Sequence, residues 1–86
     1  MKINKTEIIK NICYTELVYE RINKKLNTNL SKKEIEKYIL ITLKETEERY
    51  YTKKGKNFYI INYKNNIRIT INSNTYRIIT VDKLKD

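Results

Sequence analysis

The stretch 53–83, KKGKNFYIINYKNNIRITINSNTYRIITVDK, constrains the fold most strongly, because apolar and polar residues alternate through it in three short runs. Asn65-Asn66 and Ser73-Asn74 separate the runs and read as two-residue hairpin turns, since asparagine tolerates the positive φ such turns need. The expected strands are 58–64, 67–72 and 75–81, joined as an antiparallel meander. Counting outward sets Lys64 opposite Ile67, Ile60 opposite Ile71 and Ile69 opposite Ile78. Strand parity then puts Phe58, Ile60, Ile67, Ile69, Ile71, Tyr76 and Ile78 on one face. The other face takes Tyr59, Ile61, Tyr63, Arg68, Thr70, Asn72, Thr75, Arg77, Ile79 and Val81.

The apolar face must be covered, and the segment before it has helical spacing. Asn4 and Glu7 form a capping pair, with Ile3 and Ile8 placed as a staple, so a helix is expected from about Lys5. Ile8, Ile9, Ile12, Leu17, Val18, Ile22 and Leu26 make an apolar stripe. Cys13-Tyr14-Thr15 interrupts it, leaving one bent helix or two, with Thr15 as the second cap. Ser31 and Glu34 form a capping box, with Leu30 and Ile35 as staple, which predicts a helix from Lys32 to about Glu48. Its buried stripe would be Ile35, Tyr38, Ile39, Thr42 and Leu43. The expected class is α+β: two or three N-terminal helices packed on one face of a three-stranded antiparallel meander sheet. A single domain over 1–86, helical over 4–49 and sheet over 57–82, would bury ~60–65% of the surface its unfolded chain exposes.

Net charge is +9, which directs attention to nucleic acid, anionic membrane or an acidic protein. Ile, Lys and Asn make up 41 of the 86 residues, a bias that AT-rich codons alone would produce and that competes with function as the source of the lysine. Position is more informative than the total. Residues 51–86 carry 8 Lys and Arg against 2 acids, and no acid occurs between Glu48 and Asp82. With a single cysteine, no leader pattern and no apolar run of membrane-spanning length, the expected setting is reducing and cytoplasmic, without a membrane partner.

TELVYERINKKL at 15–26, KKGKNFYI at 53–60, ITIN at 69–72 and TYRIITVDK at 75–83 together resemble an uncharacterised family of short bacterial proteins, domain of unknown function 3781. The resemblance covers roughly 12–83 and implies an intact small helix-plus-sheet domain. It attaches no activity. The family pattern has histidines near the positions of Cys13 and Asp82, whereas this chain has no histidine.

Without histidine, general acid–base work near neutral pH would need a carboxylate or lysine of displaced pKa. Ser31 reads as a cap, Ser73 as a turn residue and Cys13 as a small core residue, so no nucleophile stands out. No metal, cofactor or Gly-rich phosphate loop is expected, and enzyme activity is not the favoured reading. The candidate binding residues are therefore cationic and aromatic: Lys53, Lys54 and Lys56 around Gly55, then Tyr59, Tyr63, Lys64, Arg68 and Arg77 on the polar face. Tyr63 is expected directly across from Arg68.

Three functions fit such a surface. The first is a non-enzymatic binder docking on nucleic acid or on a nucleic-acid-handling protein, with a phage or mobile-element inhibitor of a host nuclease, anti-CRISPR-like, as one form. The second is a ribosome-dependent endoribonuclease toxin using Arg68 or Arg77. The third is a self-associating module that forms a homodimer through the uncovered face or a strand edge.

Overall fold

The computed structural model describes residues 3–84 and has an α+β architecture. Three helices, α1 (Lys5–Asn11), α2 (Val18–Leu26) and α3 (Lys32–Glu45), precede a sheet of four antiparallel strands. The strands are β1 (Tyr51–Lys54), β2 (Asn57–Asn62), β3 (Ile67–Asn72) and β4 (Ile78–Lys83), in the order β1-β2-β3-β4.

The helix starts follow their caps. Asn4 Oδ1 accepts from the Glu7 amide, and Ser31 and Glu34 close the reciprocal capping box at α3. The interrupted stripe resolves as two helices. Thr15 does not cap the second one with its side chain; α2 begins after a turn in which the Val18 amide donates to the Thr15 carbonyl. Cys13 is the reason for the break. Its backbone bridges to residues 76–78, donating to the Tyr76 carbonyl and accepting from the Ile78 amide, which pulls this segment beside the sheet. Its side chain is exposed, not part of the core as expected.

The helix α3 ends at Glu45, three residues early. Thr46 takes extended backbone, and the Lys5 ammonium, bonding the carbonyls of Lys44 and Thr46 at 2.8 and 2.6 Å, stands at the negative end of the helix dipole. The acids there are engaged by neighbours. Glu48 accepts from the backbone amide of Lys5, and Glu45 from Asn65.

The sheet departs from expectation in three ways. First, there is a fourth strand, β1. It forms a hairpin with β2 through Gly55-Lys56, and Gly55 at φ +61° occupies a backbone region costly for residues with a Cβ. Second, the later loops are longer than two residues, with four between β2 and β3 and five between β3 and β4, so β2 and β3 pair as Asn62–Ile67, Ile60–Ile69 and Phe58–Ile71. Asparagine side chains build these longer turns: Asn62 Oδ1 accepts from the Asn65 amide, and Asn72 Oδ1 from those of Asn74 and Thr75. Between β2 and β3 the two extra residues move register by an even step, so parity survives. Third, a bulge at Ile79 offsets β4, pairing Ile71 with Ile78 but Thr70 with Thr80. Beyond it parity inverts, and Val81, expected on the open face, is 0% exposed in the core.

One apolar cluster joins the layers. Ile8, Val18, Ile22, Leu26, Ile35, Ile39 and Leu43 of the helices pack against Tyr51, Phe58, Ile60, Ile67, Ile69, Ile71, Ile78 and Val81 of the sheet. The Tyr51 hydroxyl donates to the Leu43 carbonyl, and burial holds its pKa well above the usual tyrosine range.

Candidate nucleic-acid interface

Alternation sends the partners of the core residues to the face away from the helices. Tyr59 and Ile61 of β2, Arg68 and Thr70 of β3, and Thr80 and Asp82 of β4 share it. The Arg68 guanidinium lies 5.9 Å from the Tyr59 ring centroid, within cation–π range. Asp82, directly across from Arg68, sits 3.8 Å from it and 3.0 Å from Lys25 of α2, which reaches over the β4 rim. The carboxylate thereby anchors a row running from α2 across the sheet to Tyr59. Thr70 is only 5% exposed between its ladder partners Tyr59 and Thr80.

Tyr63 lies in the β2–β3 loop and does not face Arg68, whose partner is Ile61. It is 69% exposed and meets Tyr50 edge-on at 5.6 Å. The Arg49 guanidinium in turn covers Tyr50 at 4.9 Å. With Ile61, Asn62 and Lys64, these two tyrosines line an open cleft of about 250 Å³ floored by Thr46 and flanked by Glu45 and Glu47. Ile61 is common to the cleft and the sheet face, so two cation–aromatic pairs, Arg68 with Tyr59 and Arg49 with Tyr50, flank one apolar residue.

The remaining expected residues do not join this group. Lys53 pairs with Phe58 and Lys54 with Asn57, so the two lysines project to opposite sides of β1, and Lys56 sits in the turn. They form the end of a two-residue hairpin. Arg77 stands beside Cys13, on the far side of the bulge from Arg68, and borders a groove with Leu17, Arg21 and Ile79. Lys64 approaches Glu45 at 3.8 Å.

Arg49 and Tyr50 escape the sequence reading because they fall between a helix expected to end near Glu48 and a first strand expected only at Phe58. The hairpin signal at Gly55 would have revealed them: pairing back from Asn57 makes Tyr51 a strand residue and places Arg49 and Tyr50 just before it. Among the described residues no group of three or more His, Cys, Asp or Glu is arranged to hold a metal, and no helix is long and apolar enough to cross a membrane.

Comparison with known proteins gives one match. The family model described as a protein of unknown function, DUF3781, covers residues 6–82. No curated protein matches, and no solved structure does.

Proposed function

The chain belongs to the DUF3781 family, whose function is unknown, and from that premise we propose that it is a non-enzymatic binder of single-stranded nucleic acid acting through the open sheet face. The observation that carries this reading is the pairing of Arg68 with Tyr59 and Arg49 with Tyr50 on either side of Ile61. Unstacked bases bind by lying on aromatic rings or guanidinium planes, with neighbouring cations meeting the phosphates. Lys54 and Lys64 extend the positive charge along the two ends of β2, and the net charge of +9 supports association with a polyanion.

The nuclease reading would use Arg68 or Arg77 at a scissile phosphate. Arg68 is opposite Asp82, five residues along the chain from Arg77, a separation of roughly 15 Å in extended backbone. With the two arginines apart, binding without turnover is the reading we retain.

The test is fluorescence anisotropy with labelled single-stranded RNA and DNA 12-mers over a range of salt. Expected are affinity falling steeply with added salt and a loss of roughly 5- to 150-fold for Tyr59→Ala, the range of one lost base stack. Arg68→Ala should weaken binding while circular dichroism stays unchanged. Binding indifferent to salt, or none, would sink the proposal and leave a protein target for this face.

A further inference from the structure

The two edges of the sheet are finished differently. On the β4 side, Cys13 bridges backbone to backbone at residue 77, and α2 packs closely along the strand. Arg21 of α2 also donates to the carbonyl of the bulged Ile79. On the β1 side, the strand has β2 as its neighbour and no strand beyond it.

Register shows which groups that edge offers. A two-residue turn closing on Lys54 and Asn57 makes these a hydrogen-bonded pair, and alternation makes Thr52 and Tyr59 the next. The N–H and C=O of Lys53 therefore point away from the sheet, with the C=O of Tyr51. The Tyr51 N–H is already used, donating to the Glu48 carbonyl. Around this short stretch stand Lys53, Lys54 and Lys56, all exposed and none in an ion pair among the described residues.

We infer that the β1 edge accepts an extended acidic segment of another protein as a fifth strand. The backbone of Lys53 supplies the paired donor and acceptor that a strand requires, and Lys53 and Lys54, on opposite sides of the strand, select carboxylates at neighbouring positions, one facing each side. A second copy of this chain fits poorly, because edge-to-edge pairing of β1 gathers Lys53, Lys54 and Lys56 of both copies along one seam. A nucleic-acid backbone meets the ammonium groups but lacks the alternating N–H and C=O that the edge is spaced to receive. This inference shares only Lys54 with the open-face reading, and Tyr59 takes no part in it.

The experiment titrates the 15N-labelled chain with a blocked ten-residue peptide in which Glu-Glu and Val-Val pairs alternate, so that both sides of the added strand carry carboxylates. The expected result is saturable binding with hydrogen exchange at the Lys53 amide slowed about tenfold or more, as for an amide newly placed in a ladder. Lys53→Pro removes that outward donor without touching the β1–β2 ladder, a position where an edge strand tolerates proline. It should weaken binding about tenfold, and Lys54→Glu should do likewise through charge with the backbone intact. Tyr59→Ala should leave peptide affinity unchanged while abolishing oligonucleotide stacking, which separates the two sites. The inference is overturned by absence of peptide binding, by full affinity in both edge variants, by Lys53 protection that grows with protein concentration alone, or by a single-stranded oligonucleotide displacing the peptide from the edge.

Discussion

The two faces of the sheet are made from alternate residues of the same strands, yet almost nothing about their chemistry is shared. Towards the helices stand Phe58, Ile60, Ile67, Ile69 and Ile71, each at most 9% exposed. Away from them stand Tyr59, Ile61, Arg68 and Thr70, drawn from the intervening positions. A chain this short has one core, and stability must come from burying as many aliphatic groups in it as the strands can supply. The opposite positions are thereby released from that duty, and the aromatic and cationic residues collect there.

Adjacent residues on β3 give the sharpest test of this division. Ile69 is 0% exposed, and Ile69→Ala should cost about 2–5 kcal/mol through lost burial and a residual cavity. Its neighbour Arg68 has a side chain 45% exposed, and Arg68→Ala should cost under about 1 kcal/mol because its contact with Asp82 is solvent-screened. Urea unfolding of both variants measures the contrast. Equal losses would mean that Arg68 holds the fold together and that the faces are not divided as described.

Asn62 is the polar exception on the inner face, 5% exposed. Its Nδ2 donates to Thr46 Oγ1 at 2.7 Å, that hydroxyl donates to the Thr42 carbonyl, and Asn62 Oδ1 holds the β2–β3 loop through the Asn65 amide. Thr46→Val keeps the shape but strands the Asn62 amide without this acceptor, for an expected cost of about 1–3 kcal/mol. The corresponding change on the open face, Thr52→Val, removes a long 3.4 Å bond to the Tyr59 carbonyl at an exposed site and should stay within about 0.5 kcal/mol. A larger cost at Thr52 would reverse the ranking.

How much of this could be read from the chain follows from the same alternation. Phe58, Ile60, Ile67, Ile69 and Ile71 fall on the expected side despite a wrong register, because a four-residue loop between β2 and β3 in place of a two-residue one leaves parity untouched. The caps at Asn4 and Ser31 were legible because each is a local pattern. Val81 was misplaced because a bulge is not local: the Ile79 carbonyl is satisfied by Arg21, 58 residues away. The Ile78 and Val81 spacing of three is the trace it leaves. For the interface, Tyr59 and Arg68 were recoverable from parity alone, whereas Arg49 and Tyr50 depended on recognising a strand in the polar sequence Tyr51–Lys54.

The smallest expected effect concerns the layer that covers the inner face. At the start of α3, the Ser31 backbone amide, donating to the Glu34 carboxylate, and then the nearby Ser31 hydroxyl hold that carboxyl below the usual carboxylate range. A depressed folded pKa contributes stability above the unfolded carboxyl pKa, and the contribution is lost as pH falls through the folded value. Glu34→Gln retains an acceptor for the box but not the charge that favours a helix N-terminus. The variant should therefore melt slightly below the parent chain at pH 7, and the two melting curves should converge as the solution is acidified below about pH 4, the range in which a free glutamate titrates. A gap that persists in acid would mean the carboxylate charge contributes nothing here. Oligonucleotide affinity of the same variant at neutral pH should match the parent, because α3 packs against the side of the sheet that Tyr59 and Arg68 do not share.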